Sequence, residues 1–279
     1  MCADNIYDIS KLCIKYGDFM IRGLYISASS AVCEGKRIDT ISNNIANANT
    51  TGFKKDLYVT QSFPEILTMK MGGEAAKISG VNLPAPLNII GTMNAGIHTS
   101  VVVTDFTQGG FNPTKNPLDV AISGRGFLTV ETEQGERYTR DGSFSLDSNR
   151  YLVTKDGHRV MGENGYIQIS GNDIKIDERG YIYSDGELVD RLKLVDFEDY
   201  SALMKEGNNL YTIVSEEWVG QEKAFEGSIK QGFIEGSNVN AVKEMTDMIT
   251  MLRAYEANQR LIKAHDELLG KAVNEVGRI

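Results

Sequence analysis

Apolar residues recur at every third or fourth position from residue 238 to residue 279, the period of an amphipathic helix. We therefore predict a C-terminal segment and helix over residues 228–279. A stripe of this length at a chain terminus indicates a protein that assembles by packing against other helices rather than a catalyst. The apolar members of the stripe are Val242, Met245, Ile249, Leu252, Tyr255, Ile262, Leu269, Val273 and Val276.

A second stripe predicts an N-terminal helix over residues 20–52, with its periodicity interrupted near Gly35 and with Gly52 as its C-terminal cap. The apolar positions are Ile21, Leu24, Ala28, Ala31, Ile38, Ile41, Ile45 and Ala48. The last two turns are rich in asparagine, whose side chain competes for backbone hydrogen bonds. Two interpretations remain open, a frayed helix end and a polar contact surface repeated between neighbouring subunits.

The middle of the chain, residues 96–227, predicts a compact β domain built from hairpins. Short alternating runs cover residues 127–131, 151–154, 166–169 and 181–183. The dipeptides Asp141-Gly142, Asp156-Gly157, Asn164-Gly165 and Asp185-Gly186 are hairpin turn signals because they tolerate positive φ. Residues 53–95 show weak periodicity, so we expect a loop or extended arm there.

The predicted fold class is therefore α+β. Long N- and C-terminal helices are expected to pair as a coiled-coil-like element, beside the central domain of β-hairpins. Burial by neighbouring chains is expected to decide whether the two helices fold, so folding and assembly would be coupled.

Composition and charge limit the kinds of function that the protein can have. With 41% hydrophobic and 24% charged residues the chain resembles ordinary globular protein. The net charge of -9 argues against nucleic acid as a partner. No apolar run approaches the roughly 18 residues of a membrane span, so we expect no stable membrane insertion. The first twenty positions show no secretory signal peptide.

Catalytic and metal-binding patterns are weak. His98, His158 and His265 lie far apart without ligand spacing, and the three cysteines form no CxxC pair. Ser123–Gly126 resembles a phosphate loop only superficially, because no Lys-Ser/Thr follows, and a turn entering a strand explains it better. Asp196 and Glu198 form one of the carboxylate pairs that any acidic β domain offers. We predict no enzyme activity, no cofactor and no metal.

Several motifs resemble signatures of the bacterial flagellar rod and hook protein family, and they occur in the order expected for it. Of the two N-terminal motifs, Ser42–Lys54 is more specific to the family than Met20–Tyr25. The motifs are Met20–Tyr25, Ser42–Lys54, Asn116–Phe127, Tyr138–Phe144, Gln231–Asn240 and Arg253–Glu256. The compact length and Phe106–Gly109 resemble the distal and proximal rod proteins more than the longer hook protein. Residues 1–19 precede the family pattern, so we expect an extension there, with Met20 as the native start.

The resemblance implies a structural subunit of the flagellar rod that self-assembles into a helical tubular polymer and transmits torque from motor to hook. It also implies export through the flagellar type III apparatus to the basal body, outside the cytoplasmic membrane. The implied partners are further copies of the chain, other rod and hook proteins, and the export apparatus. The alternative from another class is a cell-wall hydrolase or carbohydrate-binding module, which would need a substrate cleft.

The expected assembly interface combines both helical stripes with the asparagine-rich segment. Its residues are Leu24, Ile38, Ile41, Asn43, Asn44, Ile45, Asn47, Asn49, Phe53, Met245, Ile249, Leu252, Tyr255, Ile262, Leu269 and Val273.

Overall fold

A computed structural model describes residues 4–70, 77–78, 81–82, 88–94, 96–214 and 222–276. The chain divides into two compact units. The helical unit comprises Met1–Ile41, Tyr58–Val102 and Thr246–Ile279, and the β unit comprises Ser42–Leu57 and Val103–Met245. Two long helices and many short strands make this an α+β protein, as predicted.

The first helix, α1, spans Asp4–Ala46 and continues without a break through Gly35. It therefore begins before the predicted start at residue 20. The apolar spacing misses this part because Asp4, Asp8 and Lys11 interrupt it. The helix also ends before Gly52, which lies in the following turn with φ +68° and donates its N–H to the Glu235 carbonyl at 2.8 Å.

The second helix, α2, spans Ala241–Lys271 and continues as a π-helical turn over Ala272–Val276. Asn240 caps its N-terminus. The Asn240 Oδ1 accepts the Lys243 N–H at 3.1 Å, and its carbonyl accepts the Glu244 N–H at 3.0 Å. None of the described residues of α2 is buried.

Strands in the segment before residue 105 are β1 (Asp56–Ser62), β2 (Ile66–Lys70), β3 (Lys77–Ile78), β4 (Val81–Asn82), β5 (Asn88–Met93) and β6 (Ile97–Thr104). They form three two-stranded ribbons, β1 with β6, β2 with β5 and β3 with β4. The expected loop over residues 53–95 thus contains paired strands. In β6, the consecutive residues Val101, Val102 and Val103 are all exposed, so both faces of the strand are open at these three positions.

The β unit contains the remaining strands and, among its described residues, one short 3₁₀ turn, Tyr200–Ala202. In chain order these strands are β7 (Phe111–Pro113), β8 (Val120–Ser123), β9 (Phe127–Thr132), β10 (Gly135–Thr139), β11 (Phe144–Leu146), β12 (Leu152–Thr154), β13 (Arg159–Gly162), β14 (Gly165–Tyr166), β15 (Ile174–Ile176), β16 (Tyr181–Ser184), β17 (Glu187–Arg191), β18 (Leu194–Phe197), β19 (Leu203–Gly207), β20 (Leu210–Ile213), β21 (Glu222–Ala224), β22 (Ser228–Gln231) and β23 (Phe233–Glu235).

One antiparallel sheet of ten strands organises this unit. Its main path runs β11-β12-β13-β9-β10-β20-β19, with β14 beside β13 and β18 between β9 and β21. A three-stranded sheet, β15-β16-β17, and the pairs β8-β22 and β7-β23 complete it. Two apolar clusters fill the interior. One surrounds Ile122, Leu128 and Val160, and the other is aromatic and includes Phe127 and Tyr211.

Three of the four predicted hairpin turns are confirmed. Asp156-Gly157 lies in the connection from β12 to β13, and Asp185-Gly186 joins β16 to β17 with φ of 52° and 88°. The hairpin from β13 to β14 turns at Glu163-Asn164, and Gly165 is the first residue of β14. The fourth prediction is wrong, because Asp141-Gly142 connects β10 and β11, which are not paired with each other. There the Gly142 carbonyl accepts the Val120 N–H at 2.9 Å.

Candidate functional site

Three of the motif segments meet inside the β unit around the carboxylate of Glu235. Glu235 Oε1 accepts hydrogen bonds from Lys54 Nζ at 2.6 Å and from the Gly109 N–H at 2.9 Å. Its Oε2 lies 3.3 Å from Arg140 Nη1. The side chains of Lys54 and Glu235 are fully buried, and that of Arg140 is 2% exposed. We call Lys54, Arg140 and Glu235 the buried ion cluster.

Lys54 is held from a second side, because its Nζ also donates to the Thr107 carbonyl at 2.8 Å. Burial lowers the pKa of the Lys54 ammonium, and the opposing attraction of Glu235 only partly compensates. The sequence placed these three residues in motifs but gave no sign that they meet. Lys54 and Glu235 lie 181 positions apart.

Backbone segments approach closely around the buried ion cluster, and glycine makes this possible. A Cβ on Gly52 would lie 2.6 Å from the Arg140 carbonyl carbon, and one on Gly109 would lie 2.0 Å from the Gly236 oxygen. Such distances exclude every other residue unless the backbone moves. The glycines of the motifs Ser42–Lys54 and Phe106–Gly109 are therefore explained by packing in this junction.

Two asparagines fix the chain on either side of the cluster. Asn44, 1% exposed, donates from Nδ2 to the Asp56 carbonyl and accepts the Asp56 N–H, both at 2.9 Å. Asn238 accepts the Lys55 N–H at 2.7 Å and donates to the Asp105 carbonyl at 2.7 Å. These amide groups replace the backbone hydrogen bonds that irregular segments lack.

The end of α1 is ordered by its own asparagines as well. Asn47 Nδ2 donates to the Asn43 carbonyl at 2.9 Å, and its Oδ1 accepts the Thr50 hydroxyl at 3.1 Å. Of the interface residues expected on this side, Ile41, Asn44 and Phe53 are buried, Leu24, Ile38, Ile45 and Asn47 are half-buried, and Asn43 and Asn49 are exposed. Their role in assembly stays a prediction.

The apolar residues of α2 lie on two faces rather than on the single face that the stripe suggested. Met245, Ile249, Leu252 and Val273 are exposed, together with Val242, whereas Tyr255, Ile262 and Leu269 are half-buried. The reason is geometric. Apolar positions spaced closer than 3.6 residues on average drift around a straight helix.

Contacts between α1 and α2 within the helical unit involve the half-buried face. Asn258 Nδ2 donates to Glu34 Oε2 at 2.9 Å. The imidazole of His265 packs against Gly23, where an added Cβ would lie 2.8 Å from His265 Nε2. Because Gly23 has no side chain, the His265 ring of α2 can approach α1 closely.

The residues considered for catalysis have structural roles. Arg125, in the turn that resembles a phosphate loop, donates to the Phe197 carbonyl at 2.7 Å and stacks 4.6 Å above the Tyr200 ring. Asp196 Oδ1 accepts the Tyr200 hydroxyl at 2.8 Å. Arg125 and Asp196 lie in a surface groove of about 810 Å³, with Lys223 and Glu226 on the same lining. Arg125 pairs with Asp196 at 3.7 Å and Lys223 with Glu226 at 3.2 Å, so these four charges are paired within the chain.

Within the parts of the chain that the structure describes, no three histidine, cysteine or acidic side chains are grouped as metal ligands. Over the same residues, no helix combines the length and the apolarity needed to cross a bilayer.

Family comparisons agree with the motifs. Residues 24–54 match a family described as flagella basal body rod protein, and residues 121–184 match the flagellar hook protein FlgE/F/G D1 domain. Residues 230–275 match the flagellar basal body rod FlgEFG protein C-terminal family. The buried ion cluster draws one residue from each of the three matches, Lys54 from the first, Arg140 from the second and Glu235 from the third.

Whole-chain relatives point the same way. The Bacillus subtilis flagellar hook-basal body complex protein FlhO is 30% identical over 93% of this chain and 100% of its own length. The Agrobacterium fabrum flagellar basal-body rod protein FlgG is 34% identical over 89% of this chain and 97% of its own. The Caulobacter vibrioides flagellar basal-body rod protein FlgF is 33% identical over 93% and 100%.

The predictions of a rod protein, of a basal-body location and of no enzyme activity are confirmed by these relatives, which give the hydrolase alternative no support. The long helices, the hairpin-rich unit and the ordered motifs have a common explanation. The chain belongs to the flagellar basal-body rod protein family and is a structural subunit of the flagellar basal body.

Proposed function

We propose that this chain polymerises into the helical tube of the rod through its two long helices. In this proposal α1 and α2 pair as a coiled-coil-like element, and the exposed apolar residues of α2 pack against neighbouring copies. The observation that carries the proposal is that α2, with 31 residues, buries none of them within the chain. A helix of that length gains most of its stability from packing.

The half-buried face of α2 has the spacing of a coiled-coil seam. Eight of the twelve half-buried residues of α2 follow one another in alternating steps of four and three: Glu244, Met248, Met251, Tyr255, Asn258, Ile262, His265 and Leu269. A heptad seam places such residues against a partner helix, and polar members fix the register. Asn258, bonded to Glu34, fits that role.

The exposed face supplies the contact between copies. Val242, Met245, Ile249 and Leu252 are between 42% and 76% exposed along about 15 Å of helix. A contiguous apolar surface of this kind marks an interaction site. On α1, Tyr25 and Val32 are also more than 60% exposed, which provides an apolar surface for α2 of another copy. A contact between two different surfaces is heterologous and builds open helices when the rotation does not close.

The remaining partners follow from the family. Rod and hook proteins are proposed as neighbours at the two ends of the polymer, and the type III apparatus as the export route. Torque transmission from motor to hook then requires that the polymer resist twisting. The chain resembles FlgG and FlgF relatives at similar identity, so the proposal covers a rod subunit in either the distal or the proximal segment.

Two substitutions with a matched control test this proposal. Leu252→Asp places a charge on the exposed face and Ile262→Asp places one on the seam, while Gln259→Asp changes the charge equally at an exposed polar position. We expect Leu252→Asp to abolish polymers seen by electron microscopy with unchanged thermal unfolding, and Ile262→Asp to lower helicity as well. Gln259→Asp should polymerise normally.

Two results for Leu252→Asp would contradict the proposal. If Leu252→Asp melted the β unit together with the helix in circular dichroism, the exposed face would be intramolecular core. Polymers of normal length from Leu252→Asp would also refute the proposal.

A further inference from the structure

We infer that the buried ion cluster of Lys54, Arg140 and Glu235 is a positioning device rather than a source of net stability. It holds the turn after α1 and the strand before α2 in one arrangement, and so fixes where α2 begins. The inference concerns the element that the proposed function uses. Its main test is made on monomeric protein and does not depend on polymerisation.

Charge and burial argue against a stabilising role. Two cations face one carboxylate, so the cluster carries an excess positive charge, and all three side chains are at least 98% buried. Removing three charges from water costs more than well-packed apolar side chains of similar volume would, and replacing such triads by apolar residues is often neutral or stabilising. The Nε of Arg140 is also buried without a hydrogen-bond partner among the described residues.

Directional bonds argue for a positioning role. The two oxygens of Glu235 receive donors from three separate segments, at Lys54, Gly109 and Arg140. Lys54 links a fourth group, the Thr107 carbonyl. Apolar side chains could fill the same space in more than one register, whereas this network is satisfied only when the segments align.

The cluster also lies where an error of register would propagate into α2. Glu235 is followed by the Gly236 N–H, which donates to the Gly110 carbonyl at 2.8 Å, and by Asn238, which binds the Lys55 N–H. Asn240 then caps α2. A shift of the backbone at Glu235 would therefore change where α2 begins. The apolar residues of α2 would stay the same.

The triple variant Lys54→Met, Arg140→Met, Glu235→Leu tests this in the full-length chain. We expect its midpoint of thermal unfolding to equal or exceed that of the unmodified protein. Amide hydrogen exchange should accelerate at least about tenfold at Lys55, Gly236 and Lys243, whose N–H groups are hydrogen-bonded to groups other than the substituted side chains.

Two controls accompany it. The Val120 amide, bonded to the Gly142 carbonyl, should exchange at its original rate. The double variant Glu136→Leu, Lys193→Met removes a partly exposed ion pair with a 2.8 Å contact in the same unit and should change neither property.

Two results would overturn the inference. One is a lower unfolding midpoint with uniformly faster exchange, which identifies the cluster as ordinary stabilising packing. The other is unchanged exchange at all three amides. If the triple variant fails to fold, Glu235→Gln replaces it, since it keeps the shape and weakens the charge-assisted bonds. Local acceleration at Gly236 then supports the inference, and its absence overturns it.

Discussion

The β unit and the helical unit differ in what their side chains do. The β unit encloses two apolar clusters and a buried ion cluster, whereas α2 buries no residue. Charge is divided in the same way. Of the 38 acidic and 29 basic side chains, 26 and 17 belong to the β unit and 12 and 12 to the helical unit. The whole net charge of -9 is therefore on the β unit.

If the chain polymerises through its helices as proposed, the residues that fold the protein and the residues that assemble it lie in different units. A neutral unit with exposed apolar faces can pack against copies of itself without accumulating repulsion, whereas like-charged units repel at short range. The β unit buries its apolar residues in its own interior and does not need a neighbour to do so. We expect substitutions in the two units to have different phenotypes.

The largest effect should come from Phe127→Ala, because this side chain is fully buried in the aromatic cluster of the β unit. A large buried side chain replaced by alanine costs roughly 3–5 kcal/mol of unfolding free energy. Ile249→Ala, at a 52% exposed position of α2, should cost less than about 0.5 kcal/mol in the monomer yet impair polymer growth. Chemical denaturation and sedimentation measure the two effects. Equal losses of stability would contradict the comparison.

A smaller effect distinguishes two asparagines near the end of α1. Asn44→Ala leaves the Asp56 N–H and carbonyl without their partner and should cost on the order of 2 kcal/mol. Asn49→Ala removes an exposed side chain and should be near neutral for the monomer. Denaturant unfolding of both variants checks this. A neutral Asn44→Ala would show that the bonds to Asp56 are dispensable.

The contact between the helices is tested by two glycines of α1. Gly23→Ala places a Cβ 2.8 Å from the His265 ring and should destabilise α2 by about 1 kcal/mol, since the ring can partly move away. The Cβ added by Gly35→Ala would meet no atom within 4 Å, so this substitution should stabilise α1 by about 0.5–1 kcal/mol. Helix melting followed at 222 nm reports both. Destabilisation by both variants would indicate a general intolerance of α1.

The smallest effect concerns Asp141 and depends on pH. Burial raises the pKa of this carboxyl, although bonds from Ser143 oppose the shift. A raised folded-state pKa means that ionisation disfavours the folded state, so stability falls as pH rises through that pKa. Asp141→Asn, whose oxygen can accept the same bonds, should raise the unfolding midpoint at pH 7 and leave it unchanged at pH 3. The opposite order would show that the ionised form is the stabilised one.

Local features of the fold were predictable from sequence. The turns at Asp156-Gly157 and Asp185-Gly186 depend on φ preferences of two adjacent residues, and they were placed correctly. The helical period identified α2 and most of α1 for the same reason. The period did not resolve the two faces of α2, because a repeat read along the chain does not show how far it rotates around the helix axis.

Features that depend on distant pairing were missed. The strand β1 was missed because its apolar residues Leu57 and Val59 are exposed, so no buried apolar face marks the strand. The buried ion cluster joins residues from segments far apart, and buried charges follow no period. Lys54 and Glu235 stood in recognised motifs, yet only the fold shows that they form one site.

Two copies of the same dipeptide offer a practical consequence for labelling. At Asp185-Gly186 an added Cβ on the glycine would meet nothing within 4 Å, but its φ of +88° strains any other residue, so an epitope tag should be inserted beside Gly186 rather than substituted for it. At Asp141-Gly142 the added atom would lie 1.9 Å from the Val120 carbonyl oxygen, and an insertion there would disturb the hydrogen bond from the Val120 N–H to the Gly142 carbonyl. Live imaging of this protein should therefore use the turn between β16 and β17.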